Sequence, residues 1–174
     1  MSTAEPMSRV LAVLFAGSIA LISCVQNEPS DLRVYPNREQ FIEGVSPFME
    51  ARCGGLNCHG QVGRPLRIYS KNGLRREVAA NGLRDTRDTT PEERLENYVS
   101  VIGLEPEAIS ECVRTQCTSM DFHLLLKPLD DSGRGVRHKG GPVLRVGSND
   151  PGWTCLFGWL SGAYDRQACA AATF

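Results

Sequence analysis

The segment Arg52-Cys53-Gly54-Gly55-Leu56-Asn57-Cys58-His59-Gly60 places two thiols four residues apart and an imidazole directly after the second. Covalent haem attachment needs this set of groups. Each sulfur adds to a vinyl group, and the adjacent ring nitrogen then binds the iron from below. The commoner separation of the cysteines is two residues, and four is a rarer variant. The same residues also allow a small disulfide loop followed by a chance histidine.

Working outward toward the N-terminus, Arg9 precedes the apolar stretch from Val10 to Val25, within which Leu21-Ile22-Ser23-Cys24 has the form of a lipobox. The reading is a cleaved lipoprotein signal peptide over 1–23, an acylated Cys24, a polar tether over 24–36 and one domain over 37–174. The stretch is too short for a comfortable membrane span. Two or more acyl chains, at about 0.8 kcal/mol per buried methylene, would hold the protein on a bilayer almost permanently. Val25 rather than Asp follows the lipidated cysteine, which points to the outer membrane with the domain facing the periplasm. An unmodified Cys24 behind an ordinary secretory signal, or a short uncleaved anchor, are the alternatives.

Removal of the leader leaves 174 − 23 = 151 residues, enough for one compact core but hardly two. With 19 basic and 20 acidic residues and a net charge of −1, the chain has no long-range field to recruit nucleic acid. The 17 glycines and 10 prolines imply many loops between short elements.

Setting Cys24 aside leaves Cys53, Cys58, Cys112, Cys117, Cys155 and Cys169. If haem takes the first two, the simplest pairing of the others is Cys112 with Cys117 and Cys155 with Cys169, in an oxidising compartment. Cys53, Cys58, Cys112 and Cys117 could instead bind zinc tetrahedrally.

Helical periodicity organises the rest of the chain. Asn37 offers an N-cap with Gln40 three residues on, opening a helix that carries Phe41, Val45, Phe48 and Met49 on one face and runs straight to Cys53. From Gln61 to Asp88 the chain reads as a long basic loop. Arg64, Arg67, Arg75 and Arg76 lie there, where guanidinium groups could pair with the haem propionates or simply be solvated beside Glu77, Asp85 and Asp88. Thr90-Pro91-Glu92-Glu93 is a strong helix start, with Leu95, Tyr98, Val99 and Ile102 expected to face the core. Pro106 to Cys117 reads as a short helix closed by a disulfide. Asp150-Pro151 starts a last helix, whose Trp153, Leu156, Phe157, Trp159 and Leu160 form a broad apolar face ending near Gly162.

With His59 as proximal ligand, the candidates for the sixth position are Met120, His123 and His138. Methionine would raise the potential, and either histidine would give a lower-potential bis-histidine site. His123 also reads as a buried histidine bonded to a backbone carbonyl, and His138 as a surface-loop residue.

Cys58-His59-Gly60, Leu125-Leu126-Lys127-Pro128-Leu129, His138-Lys139-Gly140-Gly141 and the run from Asp150 to Trp159-Leu160-Ser161-Gly162 follow one another in that order. The chain resembles the small cytochrome c-like domains of exported myxobacterial and planctomycete proteins over about Phe41 to Gly162. That resemblance implies a class I-like, mostly α-helical fold with long loops, one covalent haem c on Cys53 and Cys58, His59 as proximal ligand and His138 as the preferred sixth ligand with Met120 as alternative. The four-residue gap between the cysteines departs from the two-residue gap of most of that group. The function expected is an envelope-anchored monohaem c-type cytochrome that exchanges electrons with redox partner proteins of the periplasm or envelope, without catalysis of its own. The competing expectation is a haem-free, disulfide-stabilised lipoprotein acting as a structural or binding module.

Overall fold

The computed structural model describes residues 32–76, 87–147 and 149–174. The chain divides into two compact units, Met1–Leu32 and Arg33–Phe174, and the second carries the fold described below. The signal peptide, Cys24 and most of the tether lie outside the described residues, as do Glu77 and Asp85.

The first helix, α1, consists of three consecutive spans: Arg38–Gln40, a π-helical Phe41–Val45, and Ser46–Arg52. The Asn37 side chain caps it by accepting from Gln40 N at 2.8 Å. Pro47 explains the π-helical span, since it has no N–H to donate and its ring presses on the carbonyl four residues back, and the wider helical register relieves that contact. Phe41, Val45, Phe48 and Met49 are all buried, so the inward face is the expected one.

Helix α2 (Pro91–Ile102) begins with the expected capping box, Glu93 N donating to Thr90 Oγ1 at 3.2 Å and Thr90 N to Glu93 Oε2 at 3.0 Å. Its inward face departs from expectation. Leu95 and Val99 are exposed, Tyr98 and Ile102 only flank the core, and Glu93, Asn97 and Val101 point inward. The cause is polar: Glu93 holds the nearly fully buried Arg75 guanidinium at 2.9 Å, and Asn97 accepts from Tyr69 N at 2.6 Å and donates to Tyr69 O at 2.9 Å. The helix is turned to satisfy an irregular loop whose backbone groups would otherwise be buried without partners.

Helix α3 (Pro106–Thr115) ends where Gln116 and Cys117 adopt left-handed backbone angles, and Cys117 is bonded to Cys112. A short α4 (His123–Leu126) and a 3-10 turn (Asp131–Gly133) follow. Helix α5 (Pro151–Ser161) is capped by the Asp150 carboxylate, which accepts from Gly152 N and Trp153 N, and is stopped by Gly162 at φ +84°. A final helix, α6 (Arg166–Ala171), was not expected from periodicity and is tied back to α5 by the Cys155–Cys169 disulfide.

Helix α5 crosses α1 through aromatic contacts. Trp159 lies 5.0 Å from the Phe41 ring and donates from Nε1 to Asn37 O at 2.7 Å, while Tyr98 packs edge-on to Phe41 at 5.5 Å. Gly44 allows the C-terminal segment to approach α1, because a Cβ there would strike the Tyr164 hydroxyl and the Cys169 side chain.

The domain starts earlier than expected. Arg33 pairs with Glu107 at 2.6 Å, Val34 N donates to Ser110 Oγ at 2.9 Å, and Tyr98 Oη donates to the carbonyl of buried Pro36 at 3.1 Å, so Arg33–Pro36 belong to the fold rather than to a tether. Among the described residues the only β pairings are the isolated bridges Tyr69–Leu74 and Leu129–Leu144, and no helix is long and apolar enough to cross a membrane.

Candidate functional site

Helix α1 delivers the chain to Cys53, whose N–H and that of Gly54 both donate to Met49 O, at 2.8 and 2.9 Å. His59 N then reaches back to Cys53 O at 2.9 Å, and Cys58 N and Gly60 N donate to Gly55 O at 2.9 and 3.0 Å. The four residues between the thiols are thus folded into a compact loop. Gly60 is required by close approach: a Cβ there would collide with Gly54 O and Gly73 Cα, where the Ser70–Leu74 turn packs under the loop.

Cys53, Cys58 and His59 line one cavity of about 750 Å³, within the size range of small-molecule and cofactor sites. Its apolar wall is drawn from separate segments: Phe48 and Met49 of α1, Leu124 of α4, Leu156 of α5, and Val143 and Leu144 of the loop between. Cys53 and Cys58 are free thiols, each half-buried, whereas the other four described cysteines are joined in disulfides. Burial, reinforced by the neighbouring Cys58 and opposed by Arg52, pushes the Cys53 thiol up to about 12. The zinc arrangement is excluded, because Cys112 and Cys117 are bonded to each other and their sulfurs cannot serve as thiolate ligands.

His138 lines the same cavity, and its ring lies nearly parallel to that of His59, with 5.8 Å between centroids and 16° between planes. The distance is informative. In a five-membered ring with bonds of about 1.33 Å each nitrogen lies about 1.1 Å from the centre, and a metal–imidazole bond is about 2 Å, so two imidazoles on opposite sides of one ion have centres about 6.3 Å apart. The observed centroids stand about half an ångström closer than that, in rings whose planes are nearly parallel.

Each of the two rings is tied back through Nδ1. His59 Nδ1 lies 2.9 Å from Leu66 O and His138 Nδ1 lies 3.1 Å from Gly141 O. A carbonyl only accepts, so Nδ1 donates in both rings, and in the neutral ring the lone pair then lies on Nε2, the tautomer a metal requires. Burial, together with His138 and the Arg64 guanidinium and against the Leu66 hydrogen bond, lowers the His59 pKa and favours that neutral ring. The Leu66–Ile68 strip braces His59 twice, since Ile68 N also donates to His59 O at 2.9 Å.

The other sixth-ligand candidates are placed elsewhere. Met120 packs at the edge of the core and is not among the residues lining the cavity. His123 does reach the cavity, but it is largely exposed and its Nδ1 lies 2.9 Å from Glu105 Oε1, so the expectation of a buried histidine on a backbone carbonyl is replaced by a surface imidazole–carboxylate pair.

Of the four arginines expected near the site, only Arg64 lines the cavity. Arg75 is bonded to Glu93 and to the Arg87 carbonyl, while Arg67 and Arg76 both face Glu96. Sequence reasoning missed Arg52, Lys127 and Lys139, which also line it. Lys127 and Lys139 sit inside the Leu-Leu-x-Pro and His-x-Gly-Gly runs, where nothing in residue type tells a cavity-lining cation from a solvated one.

Among the described residues no group of three or more His, Cys, Asp or Glu side chains is gathered around a point that could hold an ion. Comparison of the chain with protein-family models, with characterised proteins and with solved structures finds no match.

Proposed function

We propose that the protein is a monohaem c-type cytochrome, an electron carrier of the cell envelope. The observation that carries this reading is the convergence of both free thiols, His59 and His138 on one cavity, the two rings nearly parallel with centroids 5.8 Å apart. Haem c, when bound, supplies the redox chemistry. The chain's own residues do the rest.

In this reading Cys53 and Cys58 would form the thioether bonds, and His59 and His138 would bind the iron through Nε2. The Leu66 and Gly141 carbonyls fix both rings in the ligating tautomer. Phe48, Met49, Val143, Leu144 and Leu156 keep water from the site and lower its dielectric, which with bis-histidine ligation sets a lower potential than a Met/His site would have. Arg64, Arg52, Lys127 and Lys139, which all line the cavity, offer cations for the two haem carboxylates. A cytochrome c-like fold is supported by the crossing of α1 and α5 and by the attachment loop at the end of α1. Export and acylation of Cys24, with the domain on the periplasmic side of the outer membrane and redox proteins of that compartment as partners, rest on the leader sequence.

The test is a reduced pyridine haemochrome spectrum and a haem-stained denaturing gel on the full chain, produced with its leader beside a c-type maturation system. Wild type should carry covalent haem, and Cys58→Ser should lose it or show a single-thioether spectrum. Colourless wild-type protein without free thiols would overturn the reading and leave a disulfide-braced lipoprotein whose role lies in binding.

A further inference from the structure

Helix α2 carries an apolar stripe that the fold leaves uncovered. Leu95 and Val99 stand 42% and 55% exposed, because the helix is turned to give Glu93 and Asn97 to the buried side. Their four-residue spacing sets the two side by side on one helical face, and Tyr98 and Ile102, only partly buried, adjoin them. The Arg33–Pro36 strap continues the stripe. It crosses α2 where Tyr98 Oη donates to Pro36 O at 3.1 Å, and it reaches α3 where Val34 N donates to Ser110 Oγ at 2.9 Å. Its own Val34 and Tyr35 are 45% and 37% exposed.

The path of the chain, the charge and the area of this face together indicate what covers it. Cys24 precedes Arg33 by 33 − 24 = 9 positions, and nine residues span at most about 32 Å when fully extended. An acylated Cys24 therefore keeps the surface around the strap within that distance of a bilayer. The ionised groups beside the stripe are paired, Arg33 with Glu107 at 2.6 Å, Arg38 with Glu39 at 2.7 Å, and Glu96 with Arg67 and Arg76 at 3.9 and 3.7 Å. Such a face offers little net field to a charged partner. Four side chains exposed to this extent present on the order of 300 Å², against roughly 800 Å² per partner in a standard protein interface. That is too little to hold a second protein, but a tethered surface needs less, since the anchor supplies the local concentration.

We propose that the exposed stripe of α2, together with Val34 and Tyr35 of the strap, lies on the zwitterionic lipid surface to which acylated Cys24 holds the chain. This depends on the lipoprotein reading above and not on the haem. Leu95, Val99 and Val34 enter the boundary between headgroups and acyl chains, and Tyr35 suits the same depth with its apolar ring and polar tip. None of the four lines the cavity, so the contact makes no use of Arg52, Arg64, Lys127 or Lys139. The lipid thereby fixes the pose of the domain as well as its address.

The test is hydroxyl-radical labelling with peptide mass mapping, on acylated chain produced with its leader and bound to phosphatidylcholine vesicles. Intact mass checks the acyl groups. Wild type should be oxidised severalfold less at Tyr35 than Leu95→Glu/Val99→Glu, and equally at Val62 and Val136, which are exposed outside the stripe. Val34→Glu should unmask Leu95 and Val99 in the same way. Both variants should keep the wild-type unfolding midpoint, because the replaced side chains are exposed. The protection should persist in high salt, which does not screen an apolar contact. Acylated, vesicle-bound wild type labelled like both variants would overturn the proposal and leave the lipoprotein reading intact, as would protection lost in high salt. Protection that rises with protein concentration at fixed lipid would overturn it in favour of a second copy of the chain. A mature chain without acyl groups would overturn both.

Discussion

Asn97→Ala tests the polar logic that orients α2 and, through it, the strip that braces His59. The Asn97 side chain is fully buried and makes three hydrogen bonds, to Tyr69 N at 2.6 Å, Tyr69 O at 2.9 Å and Ser46 Oγ at 3.2 Å. Ser46 retains its own bond to Glu50 Oε1 at 2.8 Å after the substitution, so its loss is small. The Tyr69 N–H and C=O have no such reserve. Leaving both without their Asn97 partners costs about 1–3 kcal/mol each, so the substitution should destabilise the domain by about 2–6 kcal/mol. For a domain of this size that is a fall in Tm of about 10 °C. Denaturant and thermal unfolding should be measured beside Leu95→Ala and Val99→Ala, whose exposed side chains predict changes within about 0.5 kcal/mol. A cost below about 1 kcal/mol for Asn97→Ala together with a larger one for Leu95→Ala would show that α2 faces the core by its apolar stripe, and the account of its orientation would be wrong.

Three further outcomes follow from the same structure. His59 has a folded-state pKa below its unfolded value of about 6.5, so the unfolded chain binds more protons as pH falls through 6.5; haem-free protein should lose stability from there down to the folded pKa and hold level below it, and His59→Phe should flatten that slope in urea titrations at pH 7 and pH 5. The Cys53 thiol, pushed up to about 12, should react with iodoacetamide at pH 8 far more slowly in the folded haem-free protein than in urea, read by peptide mass mapping. Loss of the Cys155–Cys169 bridge, which closes the longer loop, should cost about 3 kcal/mol and loss of Cys112–Cys117 about 2 kcal/mol, measured by unfolding of the paired Cys→Ala variants.

The parts of the fold legible in the sequence were those governed by local rules. Asn37, Thr90 with Glu93, and Asp150 cap helices where their side chains can reach the first free N–H groups, and Gly162 ends α5 because it adopts a left-handed turn without strain. The face of α1 followed from spacing alone. The face of α2 did not, since its inward positions are polar and are chosen by partners at Arg75 and Tyr69, distant in sequence, which no periodicity can encode. Helix α6 is one and a half turns long and held by a disulfide, so it carries too few apolar positions to announce itself.

The site divides in the same way. Cys53, Cys58 and His59 lie within one short segment, and their convergence on a cavity follows from the turn between them. His138 is 79 positions from His59, and its preference over Met120 and His123 came only from a resemblance in motif order; the ring pairing, by contrast, is a tertiary fact. The arginines show the limit of proximity as a guide. Arg67, Arg75 and Arg76 follow Arg64 closely in the chain, yet α2 presents Glu93 and Glu96 to all three. The carbonyls of Leu66 and Gly141, which fix the imidazole tautomers, are backbone groups and have no signature in residue type.

The central claim is that one iron sits between His59 and His138. Low-temperature electron paramagnetic resonance of the oxidised, haem-loaded full chain tests it most directly, with wild type measured beside His138→Ala and Met120→Ala. The account predicts a low-spin ferric signal in wild type and Met120→Ala, and a high-spin signal in His138→Ala. A low-spin signal that survives His138→Ala and is lost in Met120→Ala would contradict it.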